Sequence, residues 1–137
     1  KSRIQNYSID SSVGDPVGVN ATFTGDNFGN GKSLYALTNT SATANTTSVD
    51  LGASSTLGGQ AHLHCTAHSS ANISVKIQSS ADNSSFADVS GFSFTALTGT
   101  TSERIATTNT VNRYVRLVIT VTSGSATFSV GYAHNLK

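Results

Sequence analysis

Charge is scarce in this chain of 137 residues: Lys and Arg number 8, Asp and Glu 7, and the charged fraction is 11%. Eight scattered cations cannot neutralise a run of phosphates, which argues against an extended basic nucleic-acid binder. The net charge of only +1, with 36% hydrophobic residues in regular alternation, argues against disorder. Met and Trp are absent and Pro occurs once. The long Ala, Glu, Lys, Leu and Arg stretches of a coiled coil or helical bundle are missing. Cys65 is the single cysteine, so no internal disulfide forms and the fold must be held by its core or by partners. No apolar run approaches the roughly 18 residues that a membrane-spanning helix needs.

What is abundant is small, uncharged and polar. Ser, Thr, Asn and Gly supply 64 of the 137 residues, enough for one domain of ordinary size. The chain opens at Lys1 and holds no Met, which reads as a processed N-terminus or, as expected here, the C-terminal part of something longer.

Period-2 alternation recurs through most of the chain and predicts strands. Val17, Val19, Ala21 and Phe23 share one parity, and Asp26 to Gly31 reads as a turn because Gly and Asn tolerate positive φ. Ser33 to Leu37 is a short strand, and Thr38 to Thr47 a polar loop or extended edge segment. Ala61, Leu63, Cys65 and Ala67 are expected to face inward, with His62, His64 and Thr66 on the other side. Ile73, Val75 and Ile77 repeat the pattern, Ser79 to Ser85 is turn chemistry, and Phe86 to Leu97 returns until Gly99 breaks it. Val111 to Thr122 is the longest predicted strand, with Arg113, Val115, Leu117, Ile119 and Val121 on one face and Asn112, Tyr114, Arg116, Val118 and Thr120 on the other. Ala126, Phe128, Val130 and Tyr132 form a last strand after a Ser123-Gly124-Ser125 turn. No window carries a 3.6-residue apolar repeat. These features predict one all-β domain over residues 1–137, an antiparallel β-sandwich of Ig-like or jelly-roll-like type with about eight strands. The predicted edges carry few Lys or Glu guards, which points towards assembly.

Candidate chemistry is sparse. His62 and His64 could project to one side of a strand, but His68 would lie roughly 13 Å further along at about 3.3 Å per residue. One zinc ion cannot be shared across that span, and the histidines read as surface residues. No Gly-x-Ser-x-Gly elbow marks a nucleophile, and Cys65 sits at a core position. Asp15, Asp26 and Asp82 fall in turns, and the Asp82 segment lacks the acidic repeat of a calcium loop. Arg104, Arg113 and Arg116 suggest a small solvated or interface patch. Six Asn-x-Ser/Thr triplets arise by chance in so Ser/Thr-rich a chain. A sugar-binding module would need exposed rings, for which only Tyr7, Tyr35, Tyr114 and Tyr132 are candidates. No catalytic residue, metal ligand or cofactor site is expected.

Several segments resemble tailed-bacteriophage virion proteins. They are Lys76 to Asp88 (KIQSSADNSSFAD), Thr110 to Arg116 (TVNRYVR) and Ala126 to Ala133 (ATFSVGYA), with Ser12 to Val17, Leu34 to Thr38 and Thr47 to Asp50 upstream. The likeness is closest to the C-terminal half of siphophage major tail (tail-tube) proteins, and related β-sandwich modules occur in capsid decoration proteins. It implies a non-enzymatic virion structural protein, assembled in the host cytoplasm through contacts with its own copies and with tail or major capsid protein. It implies neither a cofactor nor a membrane partner. A tail tube also implies a helix packed on a lumen-lining sheet. With no helix legible here, that element is expected upstream, or the chain is a stand-alone decoration protein.

Overall fold

The computed structural model describes residues 2–10, 18–25 and 31–135. Its strands are β1 (Ser2–Asp10), β2 (Gly18–Gly25), β3 (Lys32–Thr40), β4 (Ala44–Asn45), β5 (Val49–Asp50), β6 (Gly59–Ser80), β7 (Ala87–Ser93), β8 (Thr101–Thr107) and β9 (Tyr114–His134). The described residues contain no helix, and so none long and apolar enough to cross a membrane. Strands β1 and β2 form a two-stranded antiparallel sheet, and the others form one seven-stranded sheet in the order β3-β9-β6-β7. Off that path β4 and β5 pair with β9, and β8 with β6. The expected start at Val17 and the expected turn up to Asn30 lie outside the described residues.

The frame is a pair of very long strands. β6 and β9 run antiparallel from Gly59↔His134 to Ser80↔Tyr114. The sequence reads each as two strands, because the apolar pattern is interrupted between Ala67 and Ala71 and between Val121 and Ala126. In the structure both stay paired through a corner. There Ser70 has φ 46° and Gly124 φ 65°, a left-handed backbone that suits glycine. The expected turn at Ser123 to Ser125 is therefore a bend within a continuous strand.

Bulges at this corner explain the change of parity. β6 takes an extra residue between Cys65 and Ala67 and a second between Ser69 and Asn72, and the two phase shifts cancel. Its buried residues stay odd-numbered, from Ala61, Leu63 and Cys65 to Ile73, Val75 and Ile77. β9 takes one extra residue opposite Asn72 and Ile73, so its phase flips. Val115, Leu117 and Ile119 are buried before the corner, and Ala126, Phe128, Val130 and Tyr132 after it.

The corner folds the sheet back on itself. Phe92 on β7 meets Tyr132 on β9 edge-on, with ring centroids 5.8 Å apart. Their neighbourhoods on β6 are Lys76, opposite Ser93, and Ala61, opposite Tyr132. On a flat strand these points would lie on the order of 50 Å apart. Both halves therefore line one core, in which Phe92, Phe128, Leu63, Ile73, Ile77, Leu97 and Leu117 are fully buried.

Two elements were not legible in the sequence. β1 breaks its own alternation, because a register shift falls between Ile4 and Asn6. That shift sets Ile4, Tyr7 and Ile9 opposite Phe23, Ala21 and Val19. β8 is exposed along most of its length and so has no apolar stripe to read.

Candidate functional site

Cys65 is 2% exposed, and its thiol donates to the Ala67 carbonyl at 3.4 Å, as a packed core residue does. Among the described residues no three His, Cys, Asp or Glu side chains converge as a metal site. His62 and His64 lie exposed on the outer face of β6, and His62 Nε2 stands 3.3 Å from the Ser102 hydroxyl. His68 sits at the corner, close to Gly99.

The three arginines that the sequence suggested as a patch are separated, each with its own partner. Arg113 forms a two-pronged pair with Asp50, Nε to Oδ1 at 2.8 Å and Nη2 to Oδ2 at 2.7 Å. Arg104 donates twice to Gln60 Oε1, and Arg116 twice to Gln78 Oε1. The Arg116 group starts an ordered ladder across three strands: Gln78 donates to Asp88 Oδ1 at 2.7 Å, and Lys76 to Asp88 Oδ2 at 2.7 Å. Phe86 stacks on the Arg116 guanidinium at 4.1 Å. These exposed pairs contribute little stability singly, but they hold the outer face in one arrangement.

The described tyrosines are engaged as well. Tyr35 packs on Phe128 with centroids 5.2 Å apart, and its hydroxyl lies 2.8 Å from Thr40 Oγ1. Tyr132 is buried, which pushes its phenol pKa up, and Tyr114 takes Arg113 over its ring at 5.0 Å. A sugar would find no uncovered pair of rings among them. Tyr7 stands in β1 opposite Ala21.

Asp82 caps its own turn. Its Oδ1 accepts from the Ser84 and Ser85 amides at 2.9 and 2.8 Å and from the Ser80 hydroxyl at 2.7 Å. The Ser85 amide is the main cause that holds this carboxyl well below the usual carboxylate range, with Ser80 and the Ser84 amide next. Asp50 is lowered from 3.8 to about 2, chiefly by the Arg113 hydrogen bonds and then by the Gly52 amide. Both groups bind protons more readily in the unfolded chain, so their stabilisation is complete above the unfolded value and is lost as pH falls through the folded one. Tm is expected to fall steadily from about pH 4 to about pH 2. Asp82→Asn, which keeps the capping oxygen and removes the charge, should flatten that slope in melts recorded across the range.

A shallow groove of about 430 Å³ crosses the outer face of β3, β9, β6 and β8. Gly131 and Ala133 line it with Lys32, His62 and Arg104, and no carboxylate is among its residues. It is open to solvent.

Among the described residues the outer edges of the sheet carry no further strand. β3 ends the strand order on one side, paired with β9 from Lys32↔Tyr132 to Thr40↔Ala126. Register shifts after Ser33 and after Tyr35 leave Ala36 and Leu37 out of the regular pairing. Leu37 is 59% exposed, more than any other large apolar side chain in residues 31–135. An exposed strand edge of this kind offers backbone N–H and C=O groups to another chain. No protein-family model matches the chain, and a search of curated proteins found no significant match.

Proposed function

We propose that this chain is a non-enzymatic structural protein of a phage virion, a tail-tube subunit whose folded sheet serves as a β-sandwich module and assembles by strand-edge contacts. One observation carries the assembly part: the long edge strand β3, uncharged after Lys32, holds Leu37 out to solvent. A monomer that works alone in solution normally blunts such an edge with charge, Pro, bulges or a covering segment. Of these the β3 edge has Lys32 and its two register shifts, which leave Leu37 exposed. The mechanism is geometric, with modest contacts repeated copy after copy to make a stable closed or stacked assembly. The segments that resemble tail-tube proteins support the virion part. Among these, Lys76 to Asp88 supplies the Lys76–Gln78–Asp88 ladder and the Asp82 turn, features that stiffen a surface and perform no chemistry.

The test is the oligomeric state of the purified full chain, by light scattering with negative-stain microscopy. Rings or tubes with an open channel are the expected result. A compact monomer or trimer that binds only preformed capsids would move the protein to capsid decoration. A monomer that binds neither itself nor capsids would overturn the virion reading.

A further inference from the structure

Strand β3 carries an apolar projection on one side and borders an apolar recess on the other. The projection comes from its second register shift. Tyr35 stands opposite Val130 and Thr38 opposite Phe128, so Ala36 and Leu37 together span what Ser129 alone spans on β9. Val130 and Phe128 are buried, and Ser129 alternates with them on the outer face. Opposed residues share a face, so Tyr35 and Thr38 turn towards the core side while the bulge holds Leu37 out to solvent. The recess is a cleft of about 540 Å³ between β3 and the β4–β5 segment, which pair with separate stretches of β9. Tyr35 and Thr38 line it from β3, Ala44, Thr46 and Val49 from the β4–β5 segment, and Ile119 from β9. Leu37 is not part of this lining, and among the described residues no charged side chain is.

We infer that Leu37 of one copy seats in the β3/β4–β5 cleft of the next, which rests on the self-assembly proposed above and names its contact. Three features of the chain select a second copy as the occupant. A single exposed leucine is ordinary by itself, but here a bulge holds it out on the same strand that borders a recess of matching chemistry. The cleft offers no charge to an ionic partner, and a leucine entering it leaves no unpaired ion buried. A cavity of about 150 Å³ already holds a benzene molecule, so this cleft has room for a leucine side chain. The two register shifts of β3 work against regular backbone pairing with another strand, and the contact is made by side chains instead. Because projection and recess lie on opposite sides of β3, each copy gives to one neighbour and receives from another. Such a head-to-tail contact repeats with a fixed rotation, giving a ring if it closes and a helical tube if it does not.

The experiment uses the full chain. Leu37→Lys would carry a charge into the neighbour's cleft without touching the core, and is expected to raise the concentration for half-assembly about tenfold or more at unchanged Tm. In a second arm, L37C and A44C copies are mixed and treated with a short bis-maleimide, Ala44 being exposed at the cleft and Cys65 buried. Cross-links between L37C and A44C copies are expected, with neither variant linking to itself. Assembly of Leu37→Lys at the parental concentration, or self-linking of L37C as efficient as mixed linking, would overturn this contact while leaving self-assembly standing. A parent chain that stays monomeric and gives no mixed cross-link would overturn both.

Discussion

Gly124→Val is expected to cost roughly 2–5 kcal/mol of stability, combining about 1–2 for a left-handed backbone with about 1–3 for overpacking. Gly124 has φ 65°, and a Cβ built there overlaps the carbonyl oxygens of Ser69 and Ser70 on the facing strand. Those carbonyls belong to the bend of β6, so relief would require both strands to reopen at the corner. Gly52 provides the internal comparison. Its φ is 84°, but a Cβ there meets nothing within 4 Å. Gly52→Val should therefore carry only the backbone penalty, about 1–2 kcal/mol. In parallel thermal melts the Gly124 variant should fall about 10–20 °C, and the Gly52 variant by a fraction of that. Equal losses at the two positions would mean that β6 and β9 do not approach so closely at the corner.

The same corner marks where the sequence stopped being readable. Alternation by two is a local signal, and away from the corner it named the inward faces of β6 and β9: Leu63 and Cys65, Val75 and Ile77, Leu117 and Ile119, Phe128 and Val130 are all buried. Ala67, expected inward, is exposed just past the bulge after Cys65, and Val121 is only half-buried. Whether a break in alternation is a turn or a bulge is decided by the partner strand. Ser123-Gly124-Ser125 has turn chemistry in either case, and only the pairs Ser69↔Ser125 and Asn72↔Ser123 keep the ladder going through it. β8 escaped for a related reason. Its stability comes from backbone pairing with residues Gly59 to Cys65 of β6, and a strand exposed on most positions needs no apolar stripe. Among the candidate site residues, types were legible and neighbours were not. Arg104, Arg113 and Arg116 are close in sequence, yet cross-strand register delivers them to Gln60, Asp50 and Gln78. The unprotected edge followed from composition, but its place on β3 required the strand order.

Phe92→Ala is expected to destabilise the fold by about 3–5 kcal/mol, the range for removing a fully buried phenylalanine ring. Phe92 is 0% exposed, and its ring meets Tyr132 at an interplanar angle of 87°. A loss of this size would follow for any well-packed aromatic ring, so it does not by itself test the folding-back of the sheet. The coupling does. Phe92 is on a strand paired beyond the corner from Tyr132, and the two rings come together only when the halves of β6 and β9 close on each other. Combining Phe92→Leu with Tyr132→Leu in a double-mutant cycle should give a coupling of about 0.5–1.5 kcal/mol in denaturant unfolding. Two substitutions on distant parts of an unfolded-back sheet would add with no coupling beyond a few tenths. A coupling of that small size would separate the two halves and remove the shared core on which the single-module reading depends.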